Sequence, residues 1–129
     1  MGMGVRAALE DVAGFGPFFA ASANPAEEVD PTWRPWRVLY GDPEVLAARI
    51  DLVAAALGTS DRRVAASIAF QGLAARLVSP IVATAAVHRL VPAWTPDGLH
   101  WRPAVTGPWP LWESDPTPRR PHDTALPMA

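Results

Sequence analysis

Three Trp-Arg pairs carry the chemistry this sequence offers most plainly: Trp33-Arg34, Trp36-Arg37 and Trp101-Arg102. Each sets a flat apolar ring beside a planar cation. Arginine stacks on aromatic faces and grips oxyanions through two parallel N–H donors. Repeated three times, the pairing makes these residues the best binding candidates in the chain. Tryptophan also locks small cores by its area alone, which is the structural reading of the same residues. A second set lies in the run Arg62 to Pro80, RRVAASIAFQGLAARLVSP. Read as a helix, it is apolar or small on nearly every face, the pattern of a helix buried within a domain. Arg63, Ser67 and Gln71 follow i, i+4 spacing and share one side. Arg76 points about 140° away from Gln71. A cation in apolar surroundings needs a partner, either an internal carboxylate or carbonyl or an anionic ligand. The three Trp-Arg pairs, with Gln71 and Arg76, are the candidate ligand-binding residues. Arg34 and Arg37 are expected in a loop where they reach a ligand; Arg76 is expected to be structural.

Other chemistries find no support in the residues. The chain has no cysteine, which excludes disulfides, thiolate zinc sites and a Cys-ligated iron–sulfur cluster within it. His88, His100 and His122 lack metal-ligand spacing, so no metal site is expected. His88 falls near a predicted helix C-terminus, where positive charge is favoured. There is no G-x-S-x-G and no glycine-rich phosphate loop, and Gly14-x-Gly16 runs into Pro17 as a turn. Glu27-Glu28 reads as solvated loop charge. No catalytic residue is identifiable.

Composition sets the outer limits. A chain of 129 residues suits one domain with one core. Half of it is hydrophobic, but much of that half is Ala, which buries little area. The net charge is −2 and the arginines are scattered, against the concentrated basic face that nucleic acid requires. The amino terminus does not read as a signal peptide. The apolar stretch Val64 to Val91 contains Gln71, Arg76, Pro80, His88 and Arg89, a load a spanning helix does not normally carry. The expectation is a cytoplasmic protein with no membrane span.

The elements that must position the candidate residues follow from local signals. Val5 to Ala13 predicts a short helix closed by Gly14. Phe15, Phe18 and Phe19 form an aromatic knot around Gly16-Pro17, where proline could open a further short helix. Ala23 to Pro31 reads as a loop. Asp42-Pro43-Glu44 is a helix start, with a capping carboxylate, a proline in the first turn and an acid at the positive end. Gly58 closes that helix, and Thr59, Ser60 or Asp61 caps the long central one. Pro80 predicts a kink or break, with a further helix over Ile81 to Leu90. Nine of the 15 prolines fall from Pro92 onward. Leu99 to Trp101 and Val105 to Trp112 could pair as a short hairpin, its second piece confined to an edge by Pro108 and Pro110. The fold class is mainly α: residues 1–113 as a helical domain with a long central helix broken near Pro80 and a possible short β-hairpin, and 114–129 as a disordered tail.

The run VAASIAFQGLAARLVSP, with Trp33 to Pro35 before it and LHWRP and GPWPL after it, resembles the amino-terminal domain of bacterial FhuF-type ferric-siderophore reductases. The likeness spans roughly Leu9 to Leu111. It implies a surface that docks a ferric siderophore in the cytoplasm, ahead of reduction of Fe(III) to Fe(II) and release of the iron. The family's electron comes through a [2Fe–2S] cluster held by four cysteines in a carboxy-terminal region, all absent here. The resemblance therefore implies a docking domain that is redox-incompetent alone: a truncated or frame-shifted product, or a domain working with a separate cluster-bearing polypeptide or as a homo-oligomer. The rival expectation is a non-catalytic interaction or self-associating helical module, because an incomplete domain exposes apolar surface.

Overall fold

Capping chemistry sets the helix boundaries. In the computed structural model, which describes residues 4–104, 107–116 and 118–119 (the last two by backbone alone), α1 is Val5–Val12, α2 Arg37–Gly41, α3 Pro43–Leu57 and α4 Arg62–His88. Asp42 Oδ1 accepts the Glu44 N–H at 3.0 Å, and Asp61 Oδ1 accepts the Arg63 N–H at 2.9 Å. Each cap satisfies a donor that the first helical turn leaves without a partner. Gly58 ends α3 in the left-handed region at φ 65°, a conformation glycine adopts without penalty. The protein is mainly α, as its sequence predicts.

Five short strands accompany the helices among the described residues: β1 Arg34–Pro35, β2 Val91–Pro92, β3 Leu99–Trp101, β4 Leu111–Glu113 and β5 Pro118–Arg119. The hairpin forms with β3 against β4 in the register Leu99↔Glu113, His100↔Trp112 and Trp101↔Leu111. Its second strand starts later than expected, leaving Pro108 and Pro110 in the connection. β1 pairs antiparallel on the other edge of β3, so β3 is central. Ser22 extends the β4 edge, donating to Leu111 O at 2.9 Å and accepting from Glu113 N at 2.8 Å.

The core lies between α1, α4 and this sheet. Val5, Leu9, Leu39, Leu99, Trp101, Trp109 and Leu111 are buried together. Trp101 is fully buried and stacks on Trp109 with ring centroids 4.8 Å apart. The large aromatic area offsets the small contribution of the many alanines. α4 packs on α1 and α3, and His88 Nε2 meets Asp11 Oδ2 at 2.7 Å where its last turn reaches α1.

Five expectations change. α4 is not broken at Pro80 but continues to His88. Proline forfeits one backbone bond, yet Pro80 is fully buried, and Thr84 Oγ1 donates to the Pro80 carbonyl at 2.9 Å, so packing holds the turn together. Nor is α4 buried all round. Only Ala65, Ala69, Arg76, Pro80, Ala83 and Thr84 are buried, and Phe70 is 52% exposed. Small side chains let the helix sit close to the core on one stripe and leave its outer face uncovered. Pro17 opens a turn and not a helix, while Pro25–Val29, expected as loop, is a 3-10 helix capped by Asn24. The stretch from Ser114 is not without structure throughout: Ser114 N donates to Gly98 O at 3.0 Å, and β5 pairs with β2. Residues 117 and 120–129 of the expected tail lie outside the described residues. By length and composition α4 is also apolar enough to cross a membrane, with a mean hydropathy of 1.4 over its best window.

Candidate functional site

Two of the three Trp-Arg pairs converge, and they do so through strand register. Pairing of β1 with β3 sets Arg34 opposite Trp101, bringing Arg102 beside the start of β1. The Arg102 guanidinium lies over the Trp33 ring, 4.3 Å from its centroid. It also donates to Asp30 Oδ2 at 2.7 Å and to Thr32 Oγ1 at 3.3 Å. The Thr32 hydroxyl and N–H, followed by Arg102, hold the Asp30 carboxyl below the usual carboxylate range. Trp33 Nε1 donates to Glu27 Oε2 at 2.9 Å, which fixes the ring from its other side. The result is a cation stacked on an indole and held in place by a carboxylate, with remaining N–H donors.

Arg34 completes the surface. It lies 5.8 Å from the Trp101 ring centroid and has no carboxylate partner among the described residues. Arg34 and Arg102 line one open cleft of about 520 Å³ with Pro31, Thr32 and Pro103. Arg102 also borders a larger, more apolar groove of about 730 Å³, walled by Trp33, Pro17, Pro110 and Leu111. A ligand with oxygen donors and an apolar body finds cations in the first and an aromatic wall in the second.

The remaining candidates go elsewhere. Trp36 lines a separate apolar groove of about 280 Å³ with Leu39, Tyr40 and Phe70. Arg37, expected in a loop, begins α2 and pairs with Asp97 at 2.6 Å in solvent. Arg34 is likewise in a strand and not a loop. Gln71 is exposed and donates to Ser67 Oγ at 3.3 Å, on the outer face of α4. Trp101 is core, touching the cleft only through Arg34.

Arg76 has the internal partners its position demands. Nε donates to Trp109 O at 2.7 Å and Nη1 to Phe18 O at 2.9 Å, while Nη2 bonds the Ala20 carbonyl. Burial pulls its pKa down to about 10, so it stays charged at neutral pH. Three carbonyls meeting five fixed donors make a structural rivet between α4 and the two loops that flank the sheet.

Sequence reasoning missed Asp30 and Glu113. Asp30-Pro31-Thr32 carries a local signal, an acid two residues ahead of a hydroxyl that can close an Asx turn, and that turn builds the Arg102 seat. Glu113 is fully buried at the end of β4, and its Oε1 accepts the Asp115 N–H at 3.0 Å. Oε2 has no hydrogen-bond partner among the described residues, and burial pushes the carboxyl up to about 7. Nothing local in Trp112-Glu113-Ser114 marks that environment.

The [2Fe–2S] cluster implied by the family resemblance does not fit this chain. Cysteine thiolates hold such clusters, and the chain has no cysteine. Among the described residues no group of three or more His, Asp or Glu is placed to hold a metal ion. No family model matches the chain, and no curated protein or solved structure matches it either.

Proposed function

We propose that the protein is a cytoplasmic docking domain for a bulky, polar, oxygen-rich ligand, and that the ligand is a ferric siderophore, the substrate implied by the sequence resemblance. One observation carries the reading: Arg34 and Arg102 line the same open cleft, and Arg34 has no carboxylate to neutralise it among the described residues. Guanidinium groups offer paired donors to the oxygen atoms around a chelated ferric ion. Asp30 and Trp33 keep the Arg102 head in place before the ligand arrives, which lowers the ordering cost of binding. The domain holds the ferric complex. Reduction to Fe(II) falls to a separate cluster-bearing polypeptide, because this chain supplies no cysteine to relay the electron.

Tryptophan fluorescence tests the reading. Trp33 and Trp101 both lie against the arginines of the cleft. Titration with a ferric hydroxamate siderophore quenches emission saturably in the natural protein and weakly in Arg34→Ala, while the iron-free siderophore gives a smaller response. Equal, non-saturating quenching in both proteins removes the assignment.

A further inference from the structure

The outer face of α4 is apolar along most of its length and nothing among the described residues covers it. Val64, Ile68, Val78 and Val82 are 41–55% exposed, and Gln71 and Ala75 lie between them on the same stripe, with Ala86 beyond Val82. The spacing from Val64 alternates four and three residues through Val82, the interval that keeps one side of a helix facing a partner helix. The stripe runs about 27 Å along the axis. It carries no Asp, Glu, Lys or Arg; its polar members, Ser67 and Gln71, bond to each other. The core-facing stripe of Ala65, Ala69, Arg76 and Ala83 lies on the opposite side, so the apolar face is not a misassigned core.

We propose that this face is a two-fold, antiparallel dimer interface between copies of the chain. The register follows from the stripe itself. With α4 of each copy centred near Leu73, Val64 faces Val82, Ile68 faces Val78, and Gln71 faces Ala75 of the other copy. Each large side chain meets another, and each contact occurs twice, as a two-fold interface requires. Ala75 lets the helices approach closely at the centre, while a central Gln71 fixes the register, since a polar group there disfavours slipped alignments. Antiparallel pairing also keeps the Arg62-Arg63 ends of the two copies apart, and it opposes the helix dipoles. Parallel pairing would bring the two Arg63 guanidinium groups to the same end, Arg62 being paired with Asp51.

Four large side chains about half exposed, with the small residues between them, offer on the order of several hundred Å² per copy, less than the roughly 800 Å² per partner of a standard interface, which makes the dimer a weak, concentration-dependent one. A lipid surface is the poorer match. Helices lying on membranes flank the apolar stripe with basic residues along its length, whereas here Arg62 and Arg63 stand only at one end.

Sedimentation of the full chain across a dilution series tests the proposal, together with single-cysteine variants that are clean because the chain has no cysteine of its own. The expected result is a dimer at high concentration that Val78→Glu weakens by at least about 100-fold, because a buried unpaired carboxylate is costly. Val78 is half exposed, so the variant keeps its circular dichroism and melting temperature as a monomer. On mild oxidation Ile68→Cys and Val78→Cys proteins cross-link when mixed, and Ile68→Cys alone does not. A monomer at every concentration overturns the proposal, as does self-cross-linking of Ile68→Cys, which marks parallel helices. Co-sedimentation of the monomer with phosphatidylglycerol vesicles, lost in Val78→Glu, also overturns it and assigns the face to lipid. Siderophore quenching is read separately on the Val78→Glu monomer, so loss of the dimer and loss of ligand binding are distinguishable.

Discussion

Arg76 on α4 donates through Nε to the main-chain carbonyl of Trp109, 33 residues further along, at 2.7 Å. The contact joins the central helix to the loop that carries the stacked Trp101–Trp109 pair. The guanidinium satisfies carbonyls that would otherwise be buried without a donor, so its value lies largely in what its removal would leave behind.

Arg76→Ala is therefore expected to cost about 3–5 kcal/mol and to leave three carbonyls without their donor. Arg76→Lys recovers only part of that, because an ammonium is a point donor and cannot reach three divergent acceptors. Urea unfolding followed by tryptophan fluorescence gives both values. A loss under about 1 kcal/mol in Arg76→Ala would show that water replaces the side chain freely.

Glu113 predicts an unusual pH dependence. Its carboxyl is raised from 4.5 to about 7 in the folded state. Between those values the folded chain holds a proton that the unfolded chain has released, so stability falls as pH rises through the window and levels off above about 7. The expected loss is about 1–3 kcal/mol. Glu113→Gln keeps the shape without the charge and flattens the profile. Asp30, shifted the opposite way, loses its contribution only as pH falls below the usual carboxylate range, so the two effects occupy separate windows. Chemical melts at pH 5 and pH 8 on both proteins decide the matter; a natural protein more stable at pH 8 contradicts the assignment.

Substitutions on the two sides of the fold should diverge. Leu9 is fully buried, so Leu9→Ala is expected to cost about 2–5 kcal/mol. Phe70 lies in the apolar run of α4 yet is half exposed, and Phe70→Ala should cost under about 1 kcal/mol. Thermal melts of the pair make the comparison. A Phe70→Ala loss as large as that of Leu9→Ala would mean the groove that Phe70 lines with Trp36 and Leu39 is covered after all.

Asp61→Ala probes the start of α4. The carboxylate accepts the Arg63 N–H at 2.9 Å, and its loss should lower stability by about 0.5–2 kcal/mol, with Asp61→Asn nearer neutral. Equilibrium unfolding checks the order of the two variants; equal losses would show that charge, and not capping, is the larger part.

Helix boundaries were legible because their signals are local. Asp42-Pro43 and Gly58 act within one turn, and the structure places caps and ends where those residues stand. Pro80 misled for the opposite reason: a proline's effect on a helix is decided by what packs around it, and the buried ring and Thr84 are tertiary facts. The apolar run of α4 likewise reports composition and not which face meets the core. Trp33, Arg34 and Arg102 were legible as chemistry, but their convergence depends on β1 pairing with β3 across a gap of more than sixty residues, which no short window contains. Arg37 and Trp36 look identical to that pair in sequence and diverge because α2 turns them away from it.

The partners of Arg76 impose an order on synthesis. Phe18 and Ala20 precede it and Trp109 follows it. While the chain is still emerging from the ribosome, α4 can coil as soon as its own turns are complete, yet its guanidinium has no third carbonyl until Trp109 appears. β3 waits for β4 in the same way, and Ser22 waits for Leu111. The helices are thus local and quick to form, but the closing step joins residues far apart in the chain and should be slow relative to the helix content. For that interval the nascent domain is an open set of helices with Trp101 still in solvent, a state that invites a chaperone.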